Sequence, residues 1–181
     1  MSHRWIVLAA LAVSLVAPVA ARADAVPDEL AAALRTIATV TSFRTVSTKG
    51  KGKSVIEVQR PDRAHLLLDG WDIIRIGNNV WGKFAGGEWR VMSTLGPGKI
   101  VQLTSVSLPP NAVVRRVADE SDGVSAAHVY AVDGDPSGTQ RWYVRISDGH
   151  LHKIVGPTPS GVTMTVVIDD YDVPFTIEPP M

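Results

Sequence analysis

Hydrophobic positions change their period twice along this chain. From Ile6 to Ala17 they form an unbroken run, from Leu30 to Ile37 they recur at helical spacing, and after Ser42 they alternate with polar residues. The first run is about a dozen residues and is broken by Pro18, short of the roughly 20 apolar residues that a membrane-spanning helix needs. Ala21-Arg22-Ala23 then places small residues where signal peptidase reads. Residues 1–23 are therefore expected to be a cleavable signal peptide, with a cut after Ala25 as the near alternative, and residues 24–181 to form one domain. No later run is long enough to span a bilayer, and there is no cysteine to carry a lipid or a disulfide. The protein is expected to be periplasmic, or else secreted.

The second pattern predicts a helix over 28–40. Asp28 follows Pro27 and can cap it, Leu30, Leu34, Ile37 and Thr41 fall on one stripe, and Ala31-Ala32-Ala33 has high helix propensity. The third pattern predicts about eleven strands, near 43–49, 53–60, 63–69, 72–77, 79–84, 88–92, 113–119, 125–133, 140–147, 150–155 and 161–171. Turn residues such as Asp69-Gly70 and Asp148-Gly149 separate them at spacings too short for crossover helices, so the strands are expected to be antiparallel neighbours. The stretch 93–112, between Gly96-Pro97-Gly98 and Pro109-Pro110, breaks this rhythm, and its apolar middle from Ile100 to Leu108 is expected to be a short helix or a flap.

Alternation says what the sheet needs. Ile56 and Val58 alternate with Glu57 and Gln59; Trp142, Val144 and Ile146 with Arg141, Tyr143 and Arg145; Val162, Met164, Val166 and Ile168 with Thr163, Thr165 and Asp169. One face is therefore apolar and the other wet. Only the helix and the 93–112 stretch are available as a cover, and together they are expected to leave an apolar gap, which is the makings of a ligand cavity.

Charge and candidate chemistry narrow the reading. Without Arg4 and Arg22 the chain carries 16 basic and 18 acidic residues, with no basic excess of the kind that nucleic acid requires. Lys49, Lys51 and Lys53 read as a solvated hairpin turn, with a phosphate site as the alternative. His150-x-His152 has metal-ligand spacing but no evident third ligand, and reads as two exposed histidines beside a turn. His65 and His128 read as hydrogen-bonded or exposed, and Asp169-Asp170-Tyr171-Asp172 as a polar strand end. There is no nucleophile elbow, no phosphate-binding glycine loop and no cysteine nucleophile. The expectation is a non-enzymatic protein without metal or cofactor. Trp71, Trp81, Trp89 and Trp142 are core residues on the plain reading, with Trp142 and Trp81 the best candidates to face a ligand.

Several short pieces, in order, carry a resemblance. The helix runs into Thr41-Ser42-Phe43; Arg60-Pro61 closes the second strand; Asp69-Gly70, Trp81 and Trp89 fall in an aromatic-rich hairpin region; Gly149-His150-Leu151-His152-Lys153-Ile154 precedes the last strands; and Phe175-Thr176-Ile177-Glu178-Pro179-Pro180 closes the chain. In these the chain resembles the LolA-like superfamily, the periplasmic carriers of outer-membrane lipoproteins and related mycobacterial lipid-binding lipoproteins. The resemblance implies a mostly β fold: a half-open antiparallel barrel with an N-terminal helix and a helical or loop lid, holding acyl chains in its concavity. It places the carrier's inward arginine on Arg60, which shares parity with Ile56 and Val58 and would reach lid carbonyls or a ligand head group; the plain alternative is a guanidinium snorkelling to solvent.

The residues expected to meet the ligand are Ile56, Val58, Arg60, Leu66, Leu68, Trp81, Trp142, Val144, Met164 and Val166, with Ile100 and Leu103 on the lid. The expected partner is a lipid or the acyl chains of a lipoprotein. Since the sequence ends at Met181, where the carrier continues, the expectation is generic binding of an apolar ligand rather than lipoprotein shuttling in particular. Envelope-stress regulators that resemble this fold imply a second class, an adaptor that binds another envelope protein.

Overall fold

The computed structural model describes residues 26–92, 100, 104–121 and 125–181. The expected signal peptide and Leu103 lie outside the described residues.

Helix α1 (Asp28–Thr39) buries Leu30, Ala33 and Ile37. Pro27, rather than Asp28, occupies the N-cap position, and no side chain caps the helix. Asp28 and Glu29 instead lie in the first turn, where negative charge suits the helix dipole. Thr41 is beyond the helix, exposed rather than on its apolar stripe.

Eleven strands follow: β1 (Ser42–Lys49), β2 (Gly52–Gln59), β3 (Arg63–Leu68), β4 (Trp71–Ile76), β5 (Asn79–Phe84), β6 (Arg90–Val91), β7 (Val113–Ser121), β8 (Ala126–Asp133), β9 (Gln140–Arg145), β10 (Leu151–Pro157) and β11 (Thr163–Asp169). All lie in one antiparallel sheet of order β6-β5-β4-β3-β2-β1-β11-β10-β9-β8-β7. Two meanders are thus joined at the centre, where β1 pairs with β11. The edges β6 and β7 do not pair, so the barrel is half open. At Asp69-Gly70 both residues have positive φ, the backbone of a two-residue hairpin whose twist matches its strands.

Between β6 and β7, the described residues Ile100, Val106 and Leu108 lie on the inner face of the sheet. Ile100 is wholly buried in the main core, Val106 and Leu108 pack against it, and the Thr104 N–H donates to the Ile100 carbonyl as in a helical turn. Ile100 and residues 104–112 are called the strap below.

The outer face is less wet than alternation predicts. Ala127, Val129 and Tyr143 are buried there, with Lys153 and Arg141 lying over the Tyr143 ring at 4.1 and 5.8 Å. Long basic stems cover apolar surface while their charges stay wet. Ile146 and Val162, expected on the apolar face, fall outside their strands and are exposed.

The acidic end of β11 has a definite job. Asp172 accepts hydrogen bonds from the Thr41 N–H (2.7 Å) and hydroxyl (2.9 Å), tying the last strand to the α1–β1 junction. These two bonds hold its pKa below the usual carboxylate value. A depressed pKa stabilises the fold above the unfolded value of 3.8, and that contribution is lost as pH falls through the lower folded value. Asp172→Asn should therefore flatten the acid side of the stability profile below about pH 4, as read by circular dichroism. A profile parallel to wild type would contradict this role.

Candidate ligand-binding groove

The inner face follows from register. Phe43 lies opposite Val58, Thr45 opposite Ile56 and Ile168, and Ser47 opposite Val166. Leu66 stands between Ile56 and Ile73, and Trp142 between Ile154 and Tyr130. Cross-strand partners share a face, so these side chains form one continuous surface. Helix α1 contacts β9 and β10 and so covers only part of it.

Between the uncovered part and the strap lies a groove of about 440 Å³. Its walls are Thr45, Ser47, Ile56, Gln140, Trp142, Ile154, Met164 and Val166 from the sheet and Ser105, Val106 and Ser107 from the strap. The volume lies within the roughly 300–1,000 Å³ typical of small-molecule sites.

Ile56, Trp142, Met164 and Val166 are thus brought together in the groove. Val58, Leu66 and Val144 are on the same face but buried in the core, and Leu68 packs against that core half-buried. Ile100 is also a core residue. Trp81 is a correction: it pairs with Ile74 and Val91 on the outer face, because the buried Val80 before it takes the inward position.

Thr45, Ser47, Gln140, Ile154, Ser105, Val106 and Ser107 were not among the expected site residues. Parity with Phe43 would have found the first two. The strap residues carry no such signal, because the strap has no regular period.

Arg60 reaches the helix. Its Nη2 donates to the Ile37 carbonyl at 2.9 Å in the last turn of α1, and its guanidinium lies 5.8 Å from the centroid of Phe43. Its Nε is buried without a hydrogen-bond partner. A smaller pocket of about 180 Å³ beside it shares Ser105 and Val106 with the groove. Arg60→Leu should cost about 1.5–3 kcal/mol, the range for a hydrogen bond to a charged group, and should speed amide exchange in the last turn of α1. Unchanged exchange there would show that the bond does not hold the helix down.

The other end of α1 is tied as well. Tyr130 Oη donates to Glu29 at 2.5 Å, and Arg116 and His128 approach the same carboxylate at 3.7 and 3.9 Å. The tyrosine hydrogen bond is the main reason the Glu29 pKa is lowered; burial, then this carboxylate, push the Tyr130 pKa up.

His150 stacks on Tyr171 at 4.3 Å and approaches Asp148. His152 is buried, not exposed as expected, with Nδ1 3.4 Å from Asp169. Among the described residues no group of three or more His, Cys, Asp or Glu is placed to hold a metal.

No protein-family model matches the chain, and no curated protein matches it in sequence. Solved structures do match in shape. Mycobacterium tuberculosis lipoprotein LppX is 12% identical and superposes with a TM-score of 0.61 over 83% of this chain and 97% of its own. LprF from Mycobacterium bovis is 11% identical, with a TM-score of 0.61 over 84% and 95%. The fold is LolA-like. A LolA superfamily protein of Nitrosomonas europaea also matches, at 10% identity and a TM-score of 0.33 over 81% and 94%. At these identities the likeness concerns architecture: a LolA-like half-barrel with one N-terminal helix. Among the described residues, no helix is long and apolar enough to cross a membrane.

Proposed function

We propose that this protein is an exported, non-enzymatic binding or carrier protein for a lipid or another ligand with an acyl chain. One observation carries the reading: a groove of about 440 Å³ remains between the apolar inner face and the strap, lined by Ile56, Trp142, Ile154, Met164, Val166 and Val106. Such a groove offers an acyl chain apolar contact worth about 0.8 kcal/mol per buried methylene. The architecture shared with the lipoprotein LppX, a half-open barrel with an apolar concave face, supports the same reading. The apolar run before Ala23 supports export to the periplasm.

The strap contributes three groove residues, Ser105, Val106 and Ser107, and so forms the wall opposite the sheet. The ties at Arg60 and Glu29 keep α1 in place. A titration with cis-parinaric acid, a fatty acid that fluoresces in apolar surroundings, tests the proposal. Saturable binding displaced by oleate is the expected result. Absence of binding, together with stoichiometric capture of one envelope protein, would replace the carrier with an adaptor.

A further inference from the structure

Resting on the carrier reading, the geometry points to a more specific ligand: an amphiphile whose phosphate sits at the β1–β2 hairpin. Strand β1 grades along its inner face. Phe43 is buried at the α1 end, Thr45 and Ser47 line the groove, and Lys49 is the next inward position, opposite Met164 at the groove wall. Successive inward positions are roughly 7 Å apart. An acyl chain lying against Ile56 and Val166 would therefore bring its ester oxygens to the hydroxyls and its head group to Lys49.

The polar groups on this path are available. Thr45 and Ser47 make no side-chain hydrogen bond to any described residue. Lys49, Lys51 and Lys53 are likewise without an ion-pair partner there, unlike Lys83, which pairs with Asp72, and Arg44, which pairs with Glu57. The turn from Lys49 to Lys53 contains no acidic residue, the one carboxylate of the hairpin, Glu57, is paired with Arg44, and no carboxylate lines the groove. Lys49 on the inward parity stands beside a neutral, hydroxyl-bearing groove, while Lys51 in the turn and Lys53, on the outward parity opposite Thr48, add to the positive field around it; this complements an anionic head group and gives a zwitterion or a carbohydrate no comparable advantage.

The test compares two ligands with the same chain, 1-oleoyl lysophosphatidic acid and mono-olein, by isothermal titration of the delipidated protein. Wild type should bind the phosphate ester about tenfold more tightly, and the triple variant Lys49→Gln, Lys51→Gln, Lys53→Gln should bring the ratio close to one while leaving mono-olein affinity unchanged. Equal affinities in wild type, or a ratio that survives the triple substitution, would overturn the inference and leave the carrier reading standing. Failure of both ligands to bind would overturn both. Inorganic phosphate binding as tightly as the lipid, at matched ionic strength, would mean a free-anion site. Lysine-dependent pelleting with phosphatidylglycerol vesicles, with no change in the ligand ratio, would mean a membrane-contacting hairpin. Either result also overturns the inference.

Discussion

Phe43→Ala should lower the free energy of unfolding by about 3–5 kcal/mol. Phe43 is 1% exposed, is the second residue of β1 and stands opposite Val58. Val58 and Ile37 belong to the same buried cluster, and the Arg60 guanidinium lies over the Phe43 ring. Truncation would remove the ring's own burial and leave a cavity that the surrounding backbone cannot close, since β1 is held by β2 on one side and β11 on the other. Domains of this size are stable by only about 5–15 kcal/mol, so the loss would take a large share of the total. Urea unfolding followed by fluorescence measures it directly. A loss below about 1 kcal/mol would mean that the α1 end of the barrel packs far more loosely than described.

Val166→Trp should act on binding and spare the fold. Val166 is half-buried in the middle of β11, with Ser47 and Ile154 beside it, and its side chain packs at the margin of the main core where it lines the groove. A tryptophan there can project into the groove, so its cost in stability should lie at the low end of the roughly 1–3 kcal/mol typical of overpacking. It would occupy the space that an acyl chain needs. Keeping three methylenes in water costs about 2.4 kcal/mol, close to a fiftyfold loss of affinity. Parinaric acid titration of the folded variant checks this. Unchanged affinity would place the ligand somewhere other than the groove.

What could be read from the sequence divides along physical lines. Alternation and turn chemistry act locally, so nine of the strands fall within about two residues of their expected ends, while β6 and β11 are shorter than expected; Ile56, Trp142, Met164 and Val166 share the apolar parity that the register turns inward. Trp81 failed because its own strand offers two apolar parities, Val80 and Trp81, and only the register with Ile73 and Ile74 on β4 decides between them. The pairing of β1 with β11 was not legible either. It depends on residues more than a hundred positions apart, such as Thr45 and Ile168, and neither strand shows it by itself. His152 was expected outside because of the turn before it, yet it points at Asp169 from a buried position on the sheet. The tie between Glu29 and Tyr130 has the same origin: a helix and a strand distant in sequence meet only after the sheet has curved.

The central claim is that the groove holds a lipid. Native mass spectrometry of the protein purified from its own envelope under mild conditions, followed by solvent extraction, tests it most directly. The account predicts a bound species that solvent releases and that carries an acyl chain, and predicts its loss from Val166→Trp. A protein that retains no lipid, and that exposure to envelope lipid extract leaves at its unliganded mass, would contradict the account.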